Sequence, residues 1–494
     1  MPRRLPSALQ FRRILRFSLF CLALPCVYFG GSCAAFLLRY RAANASASLI
    51  HLPSTPSPDS ATRLMVFAPH CDDETLGCAG RIEQTRAAGG KVRVGILTNG
   101  DGYPAAVARQ LRCLRAGPRE FEQFAALRQS ESDQALDMLG VPAKDVLYFG
   151  YPDRGLLALW NDHWSADSPY VSPFTECAAS PYARTFHPGS HYCGKDLVED
   201  IKSALRAFRP TVVTVTHPAE DHTDHAAAAA FVSLALLELQ ADPHEAAWAV
   251  HTRLDYYLIH RGDWPAPAEA RPHAPLLPPA AMERTDTHWS TLELSPEQMA
   301  HKAHGIELYP SQTTVMPAFM HSFVRNSELY GEIVHGTLLT VPDGTISLHA
   351  AASDWEAAPP VLLDPLRDNL LRDMQGGGDI GALTLCRDSQ YLYLRLDTRQ
   401  PISARFQYTL RLRLFGPAGE TETHTITFNL RSDQPQRHKL RIASRDRMLE
   451  AAIPLEMLTK ESPAKPPRLL AVSMETSLSG VEIDRTGVRI LSLK

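Results

Sequence analysis

Between residues 63 and 260, short β-rich apolar runs alternate with longer stretches of helical periodicity, and this alternation limits the possible folds more than any other feature. The runs RLMVFA (63–68), KVRVGILT (91–98), DVLYFG (145–150), TVVTVT (211–216) and RLDYYLIH (253–260) predict strands. Segments 75–88, 118–139, 195–208 and 224–239 between them predict helices. Such an order predicts an α/β unit, a parallel sheet with crossover helices, whose ligands bind beyond the carboxyl ends of the strands. From about Ile333 the pattern changes to alternating strands such as LYLRLDT, FQYTLRLRLFG, THTITFNL and KLRIAS, parted by Gly, Pro, Asp and Ser. That stretch predicts an all-β sandwich. A chain of 494 residues exceeds what one core organises, so two folded units are expected, 63–335 and 336–494.

The amino end has a different character. Arg3, Arg4, Arg12, Arg13 and Arg16 precede the apolar run from Phe17 to Leu38, and Arg39 and Arg41 follow it. The run has the length of one transmembrane helix and exceeds the apolar region of a typical secretory signal, roughly 7–15 residues. The excess of arginine before it predicts a cytoplasmic segment 1–16, an anchor 17–38 and export of everything after. In a bacterium this is an inner-membrane anchor with periplasmic domains. The alternative is secretion after cleavage near the small residues of ANASAS (43–48). A polar, Pro- and Ser-containing stretch within 39–62 reads as a linker.

The remaining composition narrows the functional classes. A net charge of −4, with no Lys/Arg cluster beyond the amino end, gives no electrostatic reason for a nucleic-acid partner. The cysteines show no CxxC spacing, so no thiolate metal site is predicted. In an oxidising compartment Cys177 and Cys193 would be placed to bridge the loop between them.

The densest chemical signal is APHCDDETLG (68–77), directly after the first predicted strand. His70 and Asp73 stand three apart on a strand-to-helix turn, so an imidazole and a carboxylate can converge on one cation. THPAEDHTDH (216–225) follows the fourth strand and offers His222 and His225. Two histidines and a carboxylate meet the needs of a catalytic zinc site, which uses three protein ligands and keeps one position open. Another divalent metal would accept the same set. Acidic residues after a strand also cap helices, which is the structural alternative for Asp72 and Asp73. A lone histidine such as His187, His191 or His260 reads as a surface or core residue.

PHCDDE resembles the Pro-His-x-Asp-Asp-Glu signature of the PIG-L/LmbE family of zinc-dependent N-deacetylases, and HTDH resembles its His-Pro-Asp-His signature. LTNGDG (97–102), LRQSESDQALDMLGV (127–141), FGYPDRGL (149–156) and YYLIHRGDWP (256–265) are similar to further family segments, over roughly 63–335. The resemblance implies a Rossmann-like layer without a dinucleotide. It implies zinc ligation by His70, Asp73 and His225, Asp72 as general base, His222 beside the scissile carbonyl, and Arg128 and Asp153 as substrate contacts. Zinc would activate water, Asp72 would accept its proton, and His222 as imidazolium would stabilise the oxyanion or protonate the leaving amine. Cys71 and Thr223 replace prolines of the two signatures without removing a ligand. Glu220 stands where some members have Tyr, which puts a phenol-assisted step in doubt.

The function expected from these residues is hydrolysis of the N-acetyl group of an amino sugar in a glycan or glycoconjugate at the cell envelope. A zinc amidase of another small conjugate and a non-catalytic glycan-binding protein are the alternatives. Trp160, Trp164, Tyr170 and Tyr192, in the long loop after Asp153, would either form a sugar-binding rim or pack beneath the loop. The second unit resembles family 9 carbohydrate-binding modules and DOMON domains in ASDWEAAP, GGGDIGALTLCRDSQYLYLRLD and VEIDRTG. Its rings Trp355, Tyr391 and Tyr393 are the candidates for glycan contact, and the unit is expected to target rather than to catalyse.

Overall fold

The computed structural model describes residues 27, 30–39, 41–42, 51–262, 264–348, 352–367, 370–417, 419–428, 430, 440–458 and 466–493. The expected cytoplasmic segment and much of the expected anchor lie outside these residues. Residues 30–39 are helical, and among the described residues no helix is long and apolar enough to cross a membrane.

Each predicted strand of the first unit forms: β1 (Arg63–Ala68), β2 (Lys91–Thr98), β3 (Val146–Tyr151), β4 (Val212–Thr216) and β5 (Arg253–Tyr257). They pair in parallel, and the sheet runs β3-β2-β1-β4-β5-β7-β6. Leu64 to Ala68 of β1 are wholly buried on both faces, as a continuous apolar run in a covered parallel sheet must be. Two strands were not foreseen. β6 (His288–Glu293) and β7 (Ser327–Glu332) pair with each other in antiparallel fashion, and β7 joins them to β5. Part of the expected linker is also ordered against this edge, where Thr55 N–H donates to the Thr291 carbonyl at 2.8 Å and Thr291 N–H donates to the Pro53 carbonyl at 2.9 Å.

The crossover helices are α1 (Asp73–Ala87), α2 (Pro118–Met138), α4 (Gly194–Phe208) and α5 (Thr223–Ala241), with a short α3 (Leu156–Asn161) after β3. α1 presses onto β5 because Gly77 has no side chain; a Cβ there would overlap the Tyr257 ring. α5 is buried from Asp224 to Leu236, and the small residues Ala226 to Ala230 permit that close approach. Strand order reverses direction on either side of β1, so β1 and β4 part to form the crevice in which open α/β sheets bind ligands.

The second unit is built from two sheets. One runs β14 (Arg441–Arg445), β15 (Met448–Pro454), β11 (Tyr391–Thr398), β10 (Ile380–Arg387), β8 (Leu339–Thr340), with β9 (Pro360–Leu363) also on β10. The other runs β13 (Thr421–Phe428), β12 (Phe406–Phe415), β16 (Leu469–Leu478), β17 (Val481–Arg485), with β18 (Arg489–Ser492) also on β16. Leu394, Leu396, Tyr408, Leu410 and Met474 close the core between the two sheets.

The two units share apolar packing. Phe415, Leu469, Ala471 and Ile490 of the sandwich belong to the same buried cluster as Trp160, Phe231 and Val232 of the α/β unit. Trp164 lies 5.6 Å from Phe415 and stacks on Phe231. Arg413 from β12 reaches across, donating to the Trp160 carbonyl at 2.5 Å and lying 4.2 Å from the Trp164 ring centre. Trp160 and Tyr192 are therefore packing residues, buried to within 4% and 1% exposure, and do not form a sugar-binding rim.

Two further expectations are corrected. Cys177 and Cys193 are free thiols. The chain around Ala179 and His191 makes a single antiparallel bridge, and Tyr192 N–H donates to the Ala178 carbonyl at 2.8 Å, so the two cysteines lie on neighbouring stretches without being joined. In the sandwich, Trp355 and Tyr393 are buried and engaged with Glu450 and Asp388. Tyr391 alone of the three rings is partly open, and Arg441 lies 4.7 Å over it.

Candidate metal centre

The turn after β1 carries His70, Asp72 and Asp73, and the turn after β4 carries His222 and His225. Parallel pairing of β1 with β4 brings these turns together although about 150 residues separate them in sequence. His70 Nδ1 lies 3.3 Å from Asp73 Oδ2, Asp73 Oδ2 lies 3.2 Å from His225 Nε2, and His225 Nε2 lies 3.1 Å from His70 Nδ1. The three donor atoms form a near-equilateral triangle. A tetrahedral cation with bonds of about 2.0–2.1 Å holds its ligand atoms about 3.3–3.4 Å apart. The donor set therefore fits zinc in both chemistry and spacing.

Each of the two imidazoles of this triangle has a carboxylate on its other nitrogen. Behind His70, Nε2 meets Asp153 Oδ1 at 3.2 Å and Asp224 Oδ2 at 3.4 Å. Behind His225, Nδ1 faces Glu220 Oε1 at 3.8 Å. Carboxylates in this position orient a metal-binding imidazole and raise its basicity. The electrostatics agree. Burial would push both histidines down, yet Asp153, Asp224 and Asp73 hold His70 well above the usual imidazole value, and Asp73 and Glu220 hold His225 up at about 9. The cluster carries an excess of negative charge that attracts a cation.

Asp72 occupies a backbone conformation that L-residues rarely adopt, φ 136°. Such strain is maintained where the surroundings over-determine a residue. Its Oδ2 accepts from Arg128 Nη2 at 3.0 Å, and Arg128 also donates to the carbonyls of Gly100 and Cys71. Burial raises Asp72 to about 8, against the opposing pull of Arg128 and with the support of Asp73 and Glu74. Arg128 and Asp153, expected as substrate contacts, are thus placed on Asp72 and His70; Asp153 Oδ2 also accepts the Gly102 N–H at 2.6 Å.

His222 is the N-cap of α5, and its Nδ1 accepts the Asp224 N–H at 3.3 Å. An imidazole that accepts through Nδ1 carries its proton on Nε2. Burial and the neighbouring His70, His225 and His260 push its pKa down. Both the acceptor role of Nδ1 and this shift favour the neutral imidazole.

Three residues at the site escaped the sequence reading. Asp224 buries its carboxylate between His70 and the amino end of α3, accepting from the Arg154 N–H at 2.6 Å and the Leu156 N–H at 3.0 Å. Its place between His222 and His225 was the available signal. Glu220 lies two residues before His222 and was read only as a missing phenol. His260, at the end of the run following β5, stacks on Phe319 and offers a nitrogen close to Asp73 and His225. No spacing within the sequence distinguished it from an ordinary core histidine.

A doubly wound α/β layer with a His/Asp cation site at its strand switch point is the class that fold and cluster define. Residues 65–236 match the PIG-L family model, described as GlcNAc-PI de-N-acetylase, so this stretch carries a PIG-L family domain. No curated protein matches the chain. Among solved structures, the conserved protein TT1542 from Thermus thermophilus is 21% identical, with 53% of this chain and 84% of that one covered and a TM-score of 0.32. N,N'-diacetylchitobiose deacetylase from Pyrococcus horikoshii is 15% identical over 55% and 83% of the two chains, TM-score 0.34. A deacetylase of teicoplanin biosynthesis is 21% identical over 55% and 98%, TM-score 0.35. Similarity at this level transfers no residue role and no substrate.

Proposed function

We propose that this chain is a zinc-dependent N-deacetylase of an N-acetylated amino sugar, in a glycan or glycoconjugate at the cell envelope. The observation that carries the reading is the triangle of His70 Nδ1, Asp73 Oδ2 and His225 Nε2, with sides of 3.1–3.3 Å. The PIG-L family domain over 65–236 supports the reaction class. His70, Asp73 and His225 would hold the metal. Bound zinc supplies Lewis-acid polarisation of an amide and a more acidic water.

The chain's own residues divide the remaining work. Asp72, fixed by Arg128, is the base beside the ligand triangle: burial raises it to about 8, a bound divalent cation at the triangle would favour its carboxylate form, and that carboxylate takes the proton released on attack. Neutral His222, with Nδ1 engaged by the helix cap, keeps an Nε2 proton with which to stabilise the developing oxyanion. Asp72 then passes that proton to the nitrogen as the C–N bond breaks, releasing the free amine and acetate. Arg128 and Asp153 orient Asp72 and His70.

We place the folded units outside the cytoplasmic membrane, tethered by residues 17–38. Acetate release from N-acetylated oligosaccharides, abolished by a chelator and restored by zinc, tests the activity. Binding of the same sugars without acetate release would instead favour the glycan-binding reading. Reporter fusions after Ala61 test the topology; activity confined to the cytoplasm would reject it.

A further inference from the structure

The turn that carries His222 and His225 is held between two walls, and the second is supplied by the β-sandwich. The first wall is the end of β5 and the run that follows. There His217 N–H donates to the Tyr257 carbonyl at 2.8 Å, Asp221 N–H donates to the His260 carbonyl at 2.8 Å, and Asp221 Oδ2 accepts the Gly262 N–H at 2.7 Å. On the other side lies the turn between β17 and β18. A Cβ at Gly487 would stand 2.6 Å from the Pro218 carbonyl oxygen, so the sandwich backbone rests directly on the start of the metal-binding turn. Arg489 binds Asp286 at 2.5 Å, and the adjacent Thr287 Oγ1 meets His217 Nε2 at 2.9 Å. From the short helix Leu370–Met374, Arg372 pairs with Asp484 at 2.7 Å and reaches within 4.0 Å of Asp221 Oδ1.

We propose that the β-sandwich clamps the 217–222 turn and so sets the geometry of the metal centre, with Gly487 as a positioning residue. The inference rests on the metal reading given above and adds to it a role for the second unit other than targeting. Its physical basis is that backbone meets backbone at Gly487. Nothing in the conformation of Gly487 requires glycine, since its φ lies outside the left-handed region; only the contact excludes a side chain. A methyl group there must displace Pro218, a rigid residue four positions before His222, and the displacement passes to the two histidines.

The test uses the full chain, loaded with Co²⁺ in place of zinc so that the ligand field can be read directly. Gly487→Ala is expected to keep its melting temperature within a few degrees, bind Co²⁺ roughly tenfold more weakly, as expected when support of metal ligands is disturbed, and change the visible absorption band. Arg468→Ala, at another part of the same junction where Arg468 Nη1 lies 3.4 Å from the Ala241 carbonyl, is expected to leave both unchanged. If Gly487→Ala does not fold, Asp286→Asn replaces it, with a smaller loss of affinity expected through Thr287 and His217. Wild-type affinity and spectrum in a folded Gly487→Ala chain would overturn the clamp while leaving the metal reading intact. Failure of the wild-type chain to bind Co²⁺ or Zn²⁺ would overturn the metal reading and the clamp with it.

Discussion

Glu220 stands behind His225, with Oε1 3.8 Å from His225 Nδ1, while its two oxygens accept the N–H groups of Ile259 and His260 at 2.5 Å each. The carboxylate favours a proton on Nδ1 and so leaves Nε2, beside Asp73, for a cation. A residue that the family resemblance marked only as a replaced tyrosine thus orients His225 and ties the 217–222 turn to the run after β5.

Glu220→Gln is accordingly expected to weaken zinc binding roughly tenfold while the fold is retained, because the amide still offers one acceptor oxygen. Competition with a chromophoric chelator measures this. Unchanged affinity would show that His225 needs no orienting carboxylate.

Ligand and base separate by substitution. Asp73→Ala and His225→Ala are expected to lose bound metal, whereas Asp72→Asn keeps it and loses about 10²–10⁴-fold in turnover, the usual contribution of a positioned base. Metal content and acetate release on the same preparations decide the matter. Full activity in Asp72→Asn would remove it from the mechanism.

The shared packing at the domain junction predicts cooperative unfolding. Phe415 is 2% exposed and meets Trp160 and Trp164 from the other unit. Phe415→Ala should cost about 3–5 kcal/mol, the usual loss for a buried aromatic side chain. Calorimetry should show one transition moving as a whole. Two transitions, with only the sandwich destabilised, would mean independent cores and restore a separable targeting unit.

Stability should also fall with acidity through His335. Burial, with Arg489 nearby, pushes its pKa down to about 4, and Tyr256 Oη meets its Nε2 at 3.3 Å. The unfolded chain takes up this proton near the ordinary value of about 6.5. Stability present above pH 6.5 is therefore lost as pH falls towards 4. His335→Gln should flatten that part of the denaturation profile; an unaltered slope would assign it to other groups.

Much of the site was legible because its parts are local. His70, Asp72 and Asp73 lie on one strand-to-helix turn, His222 and His225 lie on another, and each spacing is visible over a few residues. The strands that set those turns were legible for the same reason, as β1 and β4 are local runs of apolar and β-branched residues. β6 and β7 were not, since HWSTLE and SELYGE mix polar with apolar residues and become strands by pairing with each other and, through β7, with β5. Neither was the role of Arg128, which depends on its contact with Asp72 rather than on its neighbours in α2.

By itself, the sequence determined the α/β order, the change to a β-rich second unit and the donor types of the candidate cation site. These depend on periodicity and on residues a few positions apart. The tertiary structure alone decided that Glu220, Asp153 and Asp224 stand behind the imidazoles of His225 and His70, that His222 Nδ1 accepts the Asp224 N–H, and that Gly487 of the sandwich bears on Pro218. Each of those relationships joins segments far apart in the chain, and their distances are set by sheet order and domain packing, which leave no periodic trace in the amino-acid sequence.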